Sequence, residues 1–421
     1  TGQVSARAPD GLAGTWLLDP NNITIQATGS NTNVTASPNF TSTNDSAIVT
    51  TGSIQTALNA GTGVAVTTSS GGANSQPGNI TVTSAIAKTA GGSATLTLNA
   101  ANNIVFNTGA NVISTAGALG LTLNAGGAIS TMRSISLNGG TLTLNATGAV
   151  TQSSAITGNT SVVKNGAGTF TLSQNNTYTG ATTINAGTLA LGAANRIANT
   201  SAVTVSTGAT FNLAGFTETV GSIAGGGNIT LGAGTLTTGG DNTSTTFSGS
   251  VSGTGGLAKT GTGTLTLSGT NTYTGTTTIS AGTLAVSGGS AIADSSQVTL
   301  ANTAGAALNL AGNETIGNLS GGGTTGGNVV LNGNTLTVNE TAATTYAGAI
   351  SGAGGLIKEG AAALTLSGAN TYTGTTTIND GTLQVGAGGT TGMLGTGVVI
   401  DNAALLFNRS DALSVANVIS G

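Results

Sequence analysis

The sequence predicts an all-β chain wound as a right-handed parallel β-helix, a single elongated rod of roughly 19 coils. Three observations lead to that class. Of 421 residues, 71 are Gly, while only 5% are charged and 3% aromatic. Short strands of alternating apolar and Thr residues recur about every two dozen positions. No 3.6-residue period is sustained, so nothing in the pattern predicts helices.

The composition excludes the common alternatives. A typical soluble domain is about 25% charged, and this chain carries 8 basic and 12 acidic residues. Disordered chains combine low hydrophobicity with high net charge; here 38% of residues are hydrophobic and the net charge is −4. Cys is absent, so no disulfide holds the fold, as suits a chain that crosses a pore unfolded. No apolar run approaches the roughly 18 residues needed to span a bilayer. A pI near 4.5 without a basic cluster speaks against nucleic acid and anionic membranes.

Each element of the helix follows from the repeats. TLTLNA at 95–100, LTLNA at 121–125 and TLTLNA at 141–146 place leucines 25 and then 21 residues apart. Stacked as coils, they set Leu96 over Leu121 over Leu142 inside, and Thr97, Thr122 and Thr143 outside. Gly and Asn supply positive φ at the corners. From Val162 a longer unit appears: VVKNGAGTFTLSQNNTYTGATTINAGTLALG recurs as LAKTGTGTLTLSGTNTYTGTTTISAGTLAVSG and as LIKEGAAALTLSGANTYTGTTTINDGTLQVG. The chain therefore divides into an entry segment (1–60), short-period coils (61–161) and three long repeats (162–256, 257–355 and a shortened 356–421). Each full long repeat is expected to hold about four coils. GTWLLDPNNITI at 14–25 is a partial candidate for a cap. The likeness of Val418–Gly421 to Ala349–Gly352 marks the edge of a further repeat, so the chain reads as a piece of a longer one.

Chemistry is sparse. Without His or Cys, most general bases, nucleophile triads and zinc sites are absent, and no cofactor or metal is expected. The twelve acids are scattered and read as solvated wall residues, whereas glycoside hydrolysis needs two carboxylates within about 5–10 Å. The repeats do place Tyr178, Tyr273 and Tyr372 at equivalent positions, as well as Lys164, Lys259 and Lys358. Spaced by four coils, the tyrosines would sit about 19 Å apart along one face as platforms for sugar rings, or else each would cover a turn. The lysines would face an acidic polysaccharide, or simply keep a strand solvated.

The stretches at 168–189, 263–284 and 363–383 resemble autotransporter-associated β-strand repeats, and residues 14–25 with the TLTLNA coils resemble the stem of filamentous-haemagglutinin-like adhesins. The resemblance implies a secreted, non-catalytic stem at the bacterial cell surface, held to the outer membrane by other parts and exported through an outer-membrane pore by an autotransporter or two-partner route. It also implies attachment, aggregation or biofilm contact, with host-cell or matrix polysaccharide or like molecules as partners. A dedicated glycan- or exopolysaccharide-binding surface is the alternative. A polysaccharide-active β-helix enzyme and an ice-binding protein with Thr rows are further readings; uneven coils of 25, 21 and 28 residues weigh against the second.

Overall fold

The computed structural model describes residues 20–69 and 76–421. It is a parallel β-solenoid of about 19 turns with almost no helix, divided into two compact units, Thr1–Thr160 and Ser161–Gly421.

In the first unit one wall is built from Val64–Thr67, Ala94–Ala100, Leu119–Ala125 and Thr141–Ala146, paired in parallel. The register sets Leu121 opposite both Leu96 and Leu142, and Leu123 opposite Leu98 and Leu144. All six leucines are fully buried, each contributing about 2 kcal/mol of apolar burial. Thr97, Thr122 and Thr143 form the outward row. Beside it runs a ladder of amides: Asn145 donates to Asn124 at 2.5 Å and Asn124 to Asn99 at 2.6 Å. The second wall stacks Ile80–Val82, Ile104–Phe106, Ile129–Met132 and Val150–Gln152. The third stacks Ile86–Lys88, Val112–Ser114, Ile135–Ser136 and Ile156–Thr157.

One element departs from the all-strand expectation. Thr51–Asn59 forms an α-helix whose N-cap is Thr50, its hydroxyl accepting from the Ser53 amide at 3.3 Å. Thr51, Ile54 and Leu58 form its buried face, the i, i+3, i+7 spacing of a short amphipathic turn. Of the candidate cap at 14–25, residues 14–19 lie outside the described residues. Ile23–Gln26 from the same stretch is a strand paired with Ala47–Thr50 and Ile80–Val82.

In the second unit each coil visits three walls in order. Wall I runs from Ser161–Lys164 through Thr264–Leu267 to Ile350–Ser351, and wall III from Glu218–Thr219 to Ala404–Phe407. Wall II runs from Thr169–Leu172 to Ser250–Gly253, breaks, and resumes from Glu314–Ile316 to Ile419–Ser420. Equivalent strands of the three repeats do not share a wall. Thr169–Leu172 lies in wall II, Thr264–Leu267 in wall I and Ala363–Leu366 in wall III. Following the chain from wall to wall, one long repeat occupies about four and two-thirds coils rather than four. Each copy therefore starts a third of a turn out of phase with the one before.

Candidate functional site

Each long repeat interrupts one wall, for two coils in the first two copies and three in the third, first with the Asn-Thr-Tyr-Thr-Gly segment and then with a loop of variable sequence. In the second copy the first interruption still bonds to the coil beneath: the amides of Thr272 and Thr274 donate to Val251 and Gly253 carbonyls, both at 2.9 Å. In the third copy Thr371 and Thr373 bond in the same way to Ile350 and Gly352. Val251 belongs to wall II and Ile350 to wall I, so the tyrosines do not line one face.

Nor are they at the surface. Tyr178, Tyr273 and Tyr372 are all 0% exposed. Each ring occupies the space that an inward Leu fills elsewhere, and a buried ring offers no face to a sugar. A buried phenol needs a partner, which a Thr four residues on provides at 2.8, 2.6 and 2.6 Å respectively. In the first two copies the network goes on to Ser201 and Ser296, which donate to the Gly180 and Gly275 carbonyls, both at 2.7 Å. The third copy has Gly395 at that spacing. A Cβ there would lie 2.5 Å from the Tyr372 ring, so the ring takes the room a serine would need. Burial pushes all three phenols above their ordinary pKa, leaving them neutral donors.

The lysines are corrected in the same direction. Lys164, Lys259 and Lys358 are at most 1% exposed, so they neither face a polysaccharide nor solvate a strand. Each ammonium plugs a corner where two stacked turns aim carbonyls inward. Lys358 donates to the carbonyls of Glu359, Gly360 and Asp380 at 2.7, 2.6 and 3.1 Å. Lys259 donates to Thr260, Gly261 and Ala281, and Lys164 to Gly166 and Ala186. Desolvation lowers the Lys164 pKa to about 8. A fourth such corner, missed in the sequence, lies in the first unit, where Lys88 binds Ala90, Gly91 and Ala116. Every upper turn then continues with a left-handed glycine: Gly117, Gly187, Gly282 or Gly381. A Cβ on Gly187 would meet three carbonyl oxygens at 2.5–2.6 Å, so the corner requires glycine twice over.

Three acids expected on a solvated wall are also buried. Glu218 accepts from the amides of Arg196 and Ile197 at 2.9 and 3.1 Å, and Glu314 from Ala291 and Ile292 at 3.4 and 2.6 Å. Each carboxylate begins the strand that restores the broken wall and clamps the variable loop one coil below. Glu340 binds the Leu319 amide and Thr344 hydroxyl. Desolvation raises Glu314 and Glu340 to about 7 against the opposing amide bonds. In the third copy Asp411 stands where Glu314 does, but acts through Arg409. The guanidinium pairs with Asp411 at 2.7 Å and donates to the Gly392 and Thr390 carbonyls.

Among the described residues no group of three or more acids could hold a metal, and no helix is long and apolar enough to cross a membrane. The tyrosines and lysines singled out by the repeats are thus buried inside the coils.

Residues 162–191, 257–286 and 356–385 match the family described as Passenger-associated-transport-repeat. The chain is 40% identical over 97 residues to the Adhesin BmaC autotransporter of Brucella suis biovar 1 (strain 1330). That match covers 23% of this chain and 3% of the relative's length. No solved structure matches. The three family matches fall on the strands and Asn-Thr-Tyr-Thr-Gly segments of the interrupted units, and the chain resembles an autotransporter-type adhesin built on β-strand repeats.

Proposed function

We propose that this chain is the stem of a secreted adhesin at the bacterial cell surface, exported through an outer-membrane pore and mediating attachment, aggregation or biofilm-matrix contact without catalysing a reaction. The observation that carries the reading is the use made of the repeat's own polar groups. Its Lys and Glu side chains satisfy inward carbonyls and amides and its Tyr pairs with a buried Thr hydroxyl, so what the sequence repeats is a way of extending a wall. The similarity to an autotransporter adhesin supports the same reading, and so does the absence of Cys, which leaves no disulfide to block passage in an unfolded state. Partners are host-cell or matrix polysaccharide, or like molecules on neighbouring cells.

The test is display of this chain on a non-adherent bacterium through a foreign membrane anchor. Increased attachment to cells or abiotic surfaces, or faster sedimentation of the culture, is expected. Unchanged attachment and sedimentation at verified surface density would overturn the adhesive role. Release of reducing ends from a polysaccharide panel would overturn the non-catalytic one.

A further inference from the structure

The third repeat differs from the others at its variable loop. Arg409 draws the Thr390 and Gly392 carbonyls toward itself, and the loop stands across wall I from a second protrusion at 321–327. That protrusion is absent from the first copy, whose shorter SIAGGGN stands where the second has NLSGGGTTGGN. Between them lies a cleft of about 590 Å³, within the roughly 300–1,000 Å³ typical of small-ligand sites.

Its chemistry is specific. Ala349 and Ala369, with Gly368, put small side chains along the cleft, so nothing bulky from the wall fills it. The hydroxyls of Thr324, Ser367, Thr390 and Thr391 line it and take no part in the hydrogen bonds that hold the coils. Asn328 is already committed, accepting from the Ala349 amide at 3.1 Å. The one charged group, Arg409, is neutralised by Asp411 at 2.7 Å, which leaves no net field to select an anion. Met393, 49% exposed, adds a thioether and methyl group to the lining.

We infer that this cleft binds an uncharged saccharide bearing acetamido groups. Several unengaged hydroxyls suit a ligand made of hydroxyls, the balanced charge suits a neutral one, and the alanine and methionine methyls suit an acetyl methyl. No aromatic ring lines the cleft for a sugar to stack on, so weak, fast-exchanging binding is expected. The inference gives the adhesive reading a ligand class and rests on that reading for its biological role alone.

The protein carries its own probe. It has two methionines: Met393 in the cleft, and Met132, fully buried in the first unit. With methyl-13C-methionine, the whole chain is titrated with N,N′-diacetylchitobiose and, separately, with cellobiose, which shares the linkage but lacks the acetamido groups. The Met393 signal is expected to shift and saturate with diacetylchitobiose, at least fivefold more weakly with cellobiose, while Met132 stays fixed. Ala349→Trp, which fills the cleft from its wall, should abolish the shift and leave Met132 and the circular dichroism unchanged. A Met393 signal that does not move, or moves equally in folded Ala349→Trp, overturns the site. Equal response to both sugars overturns the acetamido assignment. Neither result bears on the display assay, so failure of the cleft and failure of the adhesive role are separable.

Discussion

The short coils of the first unit and the long repeats of the second extend parallel walls by opposite means. In the wall that carries Leu96, Leu121 and Leu142, strands stack without a break and the core needs only aliphatic side chains. In the long repeats a wall is missing for two coils or more, and the gap is lined by buried polar groups, a Tyr–Thr pair and, in the first two copies, a carboxylate clamp, whereas the lysine plug is common to both units. The difference teaches that a solenoid tolerates a hole in its wall if the groups facing the hole are satisfied from inside. That solution concentrates sensitivity. An aliphatic ladder loses stability in proportion to what is removed, whereas a half-satisfied polar network costs more than its own bonds.

Four tests probe the buried groups of this contrast, each read as a shift in the urea midpoint of the whole chain. Tyr273→Ala should be the most damaging, at about 3–5 kcal/mol, because it empties the hole and strands Thr277 and Ser296. Leu123→Ala should fall in the lower part of the range for leucine truncations, about 2–5 kcal/mol. A larger loss for Leu123→Ala than for Tyr273→Ala would break the comparison. Next, Lys358→Met keeps the volume but leaves three buried carbonyls without their donor, at a cost of about 2–3 kcal/mol. No loss would mean that the corner is satisfied without its cation.

The third test is pH. Glu314 is held near 7 in the folded state against 4.5 when unfolded, so on raising pH the unfolded chain loses its proton first. The stability this group contributes is complete below about pH 4.5 and is lost as pH rises toward 7, a change on the order of 2 kcal/mol. The wild type should unfold at higher urea at pH 5 than at pH 7.5, and Glu314→Gln should weaken that dependence, leaving the part that the raised Glu218 and Glu340 contribute. A wild type that gains stability over this interval would contradict the burial of the clamp. The smallest effect is expected from Tyr273→Phe, about 1 kcal/mol, since Thr277 keeps Ser296 at 3.0 Å. Tyr372→Phe should cost more than Tyr273→Phe, because Thr376 has no serine to turn to.

How much of this was legible in the sequence depended on which signal was followed. The register of Leu96, Leu121 and Leu142 follows from alternation alone, since a one-residue slip would turn every leucine outward. The same alternation also pointed inward for the lysines: Leu257 is buried, Ala258 faces out, and Lys259 falls on the buried side. Thr-Tyr-Thr likewise has the parity of Thr-Leu-Thr. Expectation that charge and phenol seek water overrode that parity, and what makes burial affordable, carbonyls from two different coils, is visible only once the coils are stacked. The third-of-a-turn offset was hidden because loop lengths vary from coil to coil, so spacings of 95 and 99 residues between tyrosines have no fixed divisor. The short helix could have been found from Ile54 and Leu58, one turn apart beside a capping threonine. The cleft leaves no local signature, since its sides come from loops more than sixty residues apart.

The phase offset decides where the variable loops stand. Because the loops at 192–201, 287–297 and 386–398 interrupt walls III, II and I in turn, the three diverse segments point in three directions about the winding axis. They are spread around the axis of the second unit rather than gathered on one side. Repeats of a whole number of coils would have put all three in the same wall.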